Sequence, residues 1–214
     1  MTPGGRIAAA IEVLGEMERY HRPATEALRD WGRTHRFAGS GDRAAIGNVV
    51  FDCLRHRASA AWTMGTDSPR AVVIGTLALH TQSPLETVQR WFSGEKFCPE
   101  ALSDDELKAL SAGTLDDAPD WVRAELPEWI APYFQANFDD EMVAEGQPLA
   151  RRPPLDLRVN ALKASREKVA KALTRFNPEK TTLSPDGLRI APPDLFGRTA
   201  NVQADGAYQK GFLE

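Results

Sequence analysis

The chain has 214 residues, of which 42% are hydrophobic and 26% are charged, and its formal net charge is −4. This is enough apolar sequence to bury a core, and no stretch approaches the ~18 apolar residues of a membrane-spanning helix. Two cysteines are too few for a disulfide framework or a metal cluster. Because the first residues do not resemble a signal peptide, these features predict a cytoplasmic protein that does not associate with membranes.

The net charge conceals an uneven distribution along the chain. Residues 1–67 carry a net charge of +1, residues 68–146 carry −10 and residues 147–214 carry +5. Positive surfaces attract phosphates and negative surfaces repel them. We therefore expect that only the two ends of the chain face a nucleic acid, and that the acidic middle faces solvent or another protein domain.

The first two thirds of the sequence carry helical signals. Asp42 is predicted to cap one helix, and Ser83, followed by Pro84, is predicted to cap a later one. Ser103 is predicted to form a capping box with Glu106. The apolar stretch 69–80 predicts the central helix. The last helix is predicted to end at Gly146-Gln147-Pro148, because glycine and proline stop helices.

The pattern changes at the tandem prolines Pro153 and Pro154, which cannot lie inside a helix. Alternating polar and apolar residues predict a strand over 155–159, and further strands are predicted over 181–183 and 188–190. A helix over 165–174 separates the first strand from the other two. The sequence thus predicts an α+β fold, with an all-helical domain over 1–148 and a small α/β subdomain, left incomplete, over 149–214.

No residues show the spacing of a known catalytic or metal-binding motif. The four histidines, His21, His35, His56 and His80, are scattered, and each is interpreted as a surface or helix-face residue. Cys53 lies on an apolar helix face and is interpreted as a small core residue. The paired aspartates are interpreted as helix caps and solvated turns. An independent enzyme is therefore not expected, and neither is a bound metal.

Two stretches resemble a known family. Asp42-Arg43-Ala44-Ala45-Ile46, with residues 49–55 after it, resembles the second signature helix of a NusB-like helical domain. Pro119-Asp120-Trp121 and Leu157-Arg158-Val159-Asn160-Ala161-Leu162-Lys163 are similar to the amino-terminal half of the RsmB/Sun family. These proteins are RNA cytosine-5 methyltransferases that use S-adenosylmethionine. The resemblance implies a NusB-like domain followed by a small α/β, RRM-like subdomain and then by a catalytic domain.

The sequence also departs from the family pattern. The glycine-rich cofactor loop and the Pro-Cys and Thr-Cys catalytic sites of the family are not found in these 214 residues. Residues 211–214 resemble the strand that introduces the catalytic domain, so the chain is expected to stop just before that domain. By resemblance, the longer protein is the enzyme and these residues alone are inactive, with no catalytic, cofactor-binding or metal-binding residue assigned.

The basic residues admit two interpretations, a solvated charged surface or contacts with RNA phosphates, for which arginine is well suited. With the resemblance, the leading hypothesis is that the chain holds RNA, which the resemblance implies is ribosomal RNA in rRNA processing, and docks on its own catalytic domain. The alternative is a stand-alone NusB-like adaptor that binds RNA or protein without catalysis. The residues assigned to RNA contact are Arg43, Arg55, Arg57, Arg151, Arg152, Arg158, Asn160, Lys163, Arg166 and Lys168.

Overall fold

The computed structural model describes residues 1–81 and 83–214, which form two compact units, Met1–Arg151 and Arg152–Glu214. Helices build the first unit and a three-stranded sheet with short helices builds the second, so the predicted α+β class is confirmed. Among the helices of these residues, none combines the length and apolarity needed to cross a membrane. The α-helices of the first unit are Pro3–Tyr20 (α1), Ala24–Thr34 (α2), Ser40–Arg55 (α3), Arg57–Met64 (α4), Pro69–His80 (α5), Leu85–Trp91 (α6), Asp104–Ala112 (α7), Asp120–Arg123 (α8), Ala131–Phe138 (α9) and Met142–Ala150 (α10).

Helix α5 forms the centre of the first unit, as its apolar sequence predicts. Ile74 and Leu77 are fully buried, and α1, α3 and α4 pack around them. The helix starts where Ser68 Oγ accepts a hydrogen bond from the backbone N–H of Ala71, with a proline in the first turn. Burying a Leu or Ile side chain contributes roughly 1.5–3 kcal/mol, so this helix is a large part of the stability of the unit.

Two of the three predicted caps are wrong. Helix α3 begins at Ser40, so Asp42 lies inside its first turn, where Oδ1 accepts from the amino group of Met1 at 3.1 Å and from Arg6 Nε at 3.0 Å. Helix α6 begins after Pro84 without a side-chain cap from Ser83. Ser103 does form the predicted capping box, because its Oγ and the Glu106 carboxylate each accept a backbone N–H.

The predicted stop at Gly146 is also wrong, because α10 continues to Ala150 with Pro148 inside it. A side chain at Gly146 would place its Cβ 2.5 Å from the carbonyl oxygen of Ala124. The glycine therefore allows α10 to approach the end of α8 closely. Its sequence signal was that of a helix end, but its physical role is a close backbone contact.

The second unit is built on an antiparallel sheet. Its elements are Leu155–Arg158 (β1), Arg166–Ala172 (α11), Glu179–Lys180 (β2), Gly187–Ile190 (β3) and Gly206–Gln209 (α12), and the strand order is β1-β3-β2. The predicted strand over 181–183 is wrong, since the strand lies at 179–180. Thr181 Oγ1 instead donates to the carbonyl of Ser184 at 3.2 Å, which closes the loop before β3 and leaves Leu183 98% exposed.

The core of the second unit lies between the sheet and α11. Leu157 is paired with Leu188 across the sheet, and Val169 and Leu173 are fully buried against them. An antiparallel bridge between Val159 and Leu213 places residues 212–214 beside the end of β1. Two backbone hydrogen bonds of 2.9 Å between residues 158 and 214 continue this pairing. The terminal segment therefore contributes to the sheet and to the core.

Candidate nucleic-acid interface

Four of the predicted RNA-binding residues lie around residues 211–214. The turn after β1 brings Asn160 and Lys163 there. The Asn160 backbone N–H donates to Phe212 O at 2.9 Å, and the Asn160 Oδ1 accepts from the N–H of Leu162 at 3.2 Å. Asn160 is therefore a turn-forming residue whose side chain is already engaged. The turn directs Lys163 toward Gly211, where a Cβ built on the glycine would lie 2.9 Å from Lys163 Nζ.

Lys168 reaches the same segment from α11. Ser165 caps this helix by accepting the N–H of Lys168, and the ammonium of Lys168 lies 4.7 Å from the ring centroid of Phe212. Lys163 and Lys168 are both exposed, and neither has a carboxylate partner among the residues that the structure describes. Together they present two positive charges beside residues 211–212, and we refer to this pair as the lysine face.

Arg158 and Arg166 lie in the same unit but are engaged. Arg158 forms an ion pair with the carboxylate of Glu214, and both side chains are mostly exposed, so the pair is worth only ~0–1 kcal/mol. Arg166 Nη1 donates to the carbonyl of Ser184 at 3.3 Å, which ties α11 to the loop before β3. The guanidinium of Arg152 donates to the carbonyls of Pro193 and Asp194 and holds that loop.

The remaining predicted contacts lie in the first unit. Arg151, the last residue of that unit, is exposed. Three others are bound within the helical unit, each by a different partner: Arg43 Nε by the carbonyl of Ala38, Arg55 by Asp52 at 3.1 Å, and Arg57 by Glu18 at 2.7 Å and Asp67 at 3.2 Å. For Arg57, burial lowers the guanidinium pKa, but the hydrogen bonds to its two carboxylates outweigh burial and raise it.

Two exposed leucines adjoin the basic residues of the second unit, and no sequence pattern predicted their exposure. Leu162, next to Lys163, is 99% exposed, and Leu183, next to the serine that binds Arg166, is 98% exposed. Single exposed leucines are ordinary on protein surfaces, so the feature of interest is their position beside basic side chains. The leucine side chains suit contact with the apolar faces of bases and sugars, while the neighbouring basic side chains suit contact with phosphates.

A partly buried polar cluster in the first unit was missed altogether. His56, at the start of α4, and His80, at the end of α5, stack with 3.9 Å between ring centroids and 7° between planes. Glu125 Oε1 lies 3.2 Å from His56 Nδ1 and 3.2 Å from His80 Nε2. Ser59 joins both, because its hydroxyl lies 2.7 Å from His80 Nε2 and donates to Glu125 Oε1. We refer to these four residues as the histidine cluster.

His56 and His80 are partly exposed at helix ends, which agrees with their interpretation as surface or helix-face residues, but they also contact each other and Glu125. Burial and, to a smaller extent, the neighbouring His56 together lower the pKa of His80 to about 4, against the attraction of Glu125 and Asp52. His80 is thus neutral near pH 7. No short-range sequence pattern could have found the cluster, since Glu125 is 69 residues from His56.

Cys53 is a core residue, as its apolar helix face predicts. The side chain is fully buried, and burial raises the pKa of its thiol to about 12. Because the thiolate is the nucleophilic form, this cysteine is chemically inert in the folded protein. Cys98 is free and partly exposed.

Comparison with known proteins gives two findings. Residues 126–194 match the family model described as "Methyltr_RsmF/B-like, ferredoxin-like domain", which spans about a third of the chain and includes both lysines of the lysine face. The structure titled "Crystal Structure of PH0851" is similar to all of this chain, with a TM-score of 0.52 and 18% sequence identity. The similarity covers 53% of PH0851, so the chain spans about half the length of that protein. No curated protein sequence matches significantly.

Proposed function

Because the chain carries an RsmF/B-like ferredoxin-like domain, in the arrangement of an RsmB/Sun-like amino-terminal region, we propose that it positions RNA for an S-adenosylmethionine-dependent cytosine-5 methyltransferase. The RsmF/B-like match supports a role related to RNA methylation. One observation supports the positioning role. Lys163 and Lys168 are exposed beside residues 211–212, and within the part of the chain that the structure describes neither lysine has a carboxylate partner.

The chemistry of this surface suits the RNA backbone. Residues 152–214 carry eleven Lys and Arg against seven Asp and Glu. The ammonium groups of Lys163 and Lys168 bind phosphates as point charges, and Leu162 beside them contacts bases or sugars. Phosphate contacts position a nucleic acid without reading its sequence. We therefore expect RNA binding that depends strongly on salt and little on sequence.

In this proposal the methylation itself belongs to a longer protein, with ribosomal RNA as its substrate. The RsmB/Sun resemblance implies that a catalytic domain follows the ferredoxin-like domain. That domain would bind S-adenosylmethionine and carry the catalytic cysteines. The cysteine nucleophile of that domain would attack C6 of the cytosine. Cys53 cannot take that role, because it is buried and its thiol pKa is about 12.

The test is the salt dependence of RNA binding for wild type and for the double variant Lys163→Ala/Lys168→Ala. The logarithm of the binding constant should fall with the logarithm of salt concentration, and the variant should flatten the slope by ~0.7 per lost phosphate contact on single-stranded RNA. Lys108→Ala is the matched control, since Lys108 is an exposed lysine of helix α7 in the acidic stretch. A slope that is the same in all three proteins would contradict the proposal.

A second candidate function, the stand-alone adaptor, has support in the first unit. Residues 68–146 carry a net charge of −10, and the side chains of Trp129 and Tyr133 are 73% and 67% exposed. Exposed aromatic residues are common in protein interfaces. Under this alternative, the chain would bind RNA no better than the double variant does, and Trp129→Ala would abolish binding of a basic protein partner in a pull-down.

A further inference from the structure

We propose that His56, His80 and Glu125 bind a divalent transition-metal ion, with Zn²⁺ the best match to these donors. Two imidazole nitrogens and one carboxylate oxygen are the protein ligands of one class of catalytic zinc site. In this chain they come from the start of α4, the end of α5 and the second residue after α8, all within the first unit. The site is separate from the lysine face, which belongs to the second unit, and does not depend on the proposed RNA contacts.

The distances suit a shared ion. The three ligand atoms all lie within 4.8 Å of one another, and Glu125 Oε1 is 3.2 Å from each of the two imidazole nitrogens. Ligands held ~2.0–2.1 Å from a tetrahedral zinc ion are about 3.3 Å apart. The carboxylate oxygen therefore already stands at the right separation from both nitrogens.

The charge of the cluster also calls for a cation. The Glu125 side chain is only 4% exposed, and in the described residues its charged or titratable partners are the two histidines, with no Lys or Arg. The other acidic group near His80 is Asp52, which is itself paired with Arg55. A buried carboxylate needs a compensating positive charge, and a metal ion held by the two imidazole nitrogens would supply it.

The surrounding backbone aims the carboxylate inward. Glu125 has a φ of +57°, a left-handed conformation that is unfavourable for a residue with a Cβ. The N–H of Ser59 donates to Glu125 Oε2 at 3.2 Å and the hydroxyl of Ser59 holds Oε1. Strained residues of this kind concentrate at functional sites. A hydrogen-bonded neighbour that orients a ligand is also usual around bound metals.

The two histidine rings need one adjustment to share an ion. They lie nearly parallel, so one imidazole has to turn about its Cβ–Cγ bond to direct its lone pair at the point that the other faces. This torsion is broad and its rotation is inexpensive. The side chains of His56 and His80 are 16% and 22% exposed, which leaves an open side through which an ion and a water ligand can reach the site.

The test is metal binding by the untagged chain after treatment with a chelator. Isothermal titration with Zn²⁺ should give one equivalent bound, and Co²⁺ in its place should develop the visible absorption of a four-coordinate site. Zn²⁺ at 100 times its dissociation constant should raise the melting temperature by roughly 5–10 °C, and a chelator should reverse the change.

Variants decide whether these ligands carry the binding. His80→Ala and the nearly isosteric Glu125→Gln should each weaken Zn²⁺ binding at least tenfold, while His21→Asn should bind like the wild type, because His21 is an exposed histidine at the end of α1. Glu125→Gln keeps the packing if His80→Ala does not fold. Zn²⁺ binding that is absent from the wild type, or equal in Glu125→Gln and wild type, would overturn the proposal and leave a hydrogen-bonded structural cluster.

Discussion

Among single residues, the two cysteines, Cys53 and Cys98, differ in burial and are therefore expected to differ in reactivity. Cys53 is fully buried with a thiol pKa of about 12, whereas Cys98 is partly exposed. We expect an alkylating reagent to modify Cys98 in the native protein and Cys53 only after unfolding, because reaction needs an accessible thiolate. Mass spectrometry of peptides alkylated before and after denaturation measures this. Native-state modification of Cys53 at the rate of Cys98 would contradict the burial described for it.

The role of Cys53 could be predicted from sequence because one short helix decided it. Its neighbours at helical spacing are apolar, and they predict the buried face on which it lies. Asp42 shows the opposite case. Its position before an apolar stretch is typical of a cap, but the start of the chain folds back and engages the carboxylate through Met1 and Arg6. No local pattern contains that partnership.

Among the secondary-structure elements, Gly146 allows helix α10 to pack closely against the end of α8. A Cβ there would lie 2.5 Å from Ala124 O and 2.7 Å from Ala124 Cβ, so Gly146→Ala should destabilise the first unit by ~1–3 kcal/mol through overpacking. Gly15→Ala in α1 is the matched control, because nothing lies within 4 Å of its Cβ position. That change should stabilise the protein by ~0.5–1 kcal/mol through helix propensity. Urea unfolding compares the two variants.

The result that contradicts this account is a Gly146→Ala protein at least as stable as Gly15→Ala. Glycine near the end of a helical pattern has two common roles, a stop and a close contact. The sequence does not distinguish them, which is why the helix end was misplaced. The capping box at Ser103 was predictable because all of its hydrogen-bonding groups lie within four residues.

Helices α5 and α7 are joined by an ion pair that makes stability depend on pH. Arg70 Nε lies 2.7 Å from Glu106 Oε1, and this hydrogen bond, opposed by burial and supported by the N–H of Ser103, lowers the carboxyl pKa below 4.5. A lowered carboxyl pKa stabilises the fold above the unfolded value of 4.5, and that contribution is lost as the pH falls through the folded value.

We therefore expect Glu106→Gln to be less stable than wild type by about 1 kcal/mol near neutral pH, since the pair is partly exposed. The difference should shrink as the pH falls below 4.5 and through the lowered pKa of wild-type Glu106, because that carboxyl then becomes protonated. Urea titrations of both proteins at about pH 7 and at successively lower pH down to about 3 measure it. A difference that stays the same or grows in acid would show that the pair does not stabilise the junction of α5 and α7.

At the scale of the whole molecule, sequence predicted the classes of structure better than the groups that meet. The change at the tandem prolines predicted an α+β chain, and the structure and the RsmF/B-like match bear this out. The histidine cluster was missed because its members are brought together only by the packing of α4, α5 and the segment after α8. The three basic residues Arg43, Arg55 and Arg57 looked alike in sequence, yet each has its own partner within the helical unit.

Charge is also arranged by unit. The sheet-containing unit is basic and contains the lysine face, while the strongly acidic stretch 68–146 lies within the helical unit. RNA should therefore be held by the second unit, and the first unit should be avoided except where its own basic residues are accessible.

The measurement that tests this account most directly is ultraviolet crosslinking of the chain to labelled single-stranded RNA, with the crosslinked peptides identified by mass spectrometry. We expect crosslinks in residues 160–168 and 211–213, around Leu162, Lys163, Lys168 and Phe212, and expect them to disappear in Lys163→Ala/Lys168→Ala but not in Lys108→Ala. Crosslinks confined to the helical unit, or no crosslinks above those of a protein that does not bind RNA, would contradict the assignment of RNA binding to the lysine face.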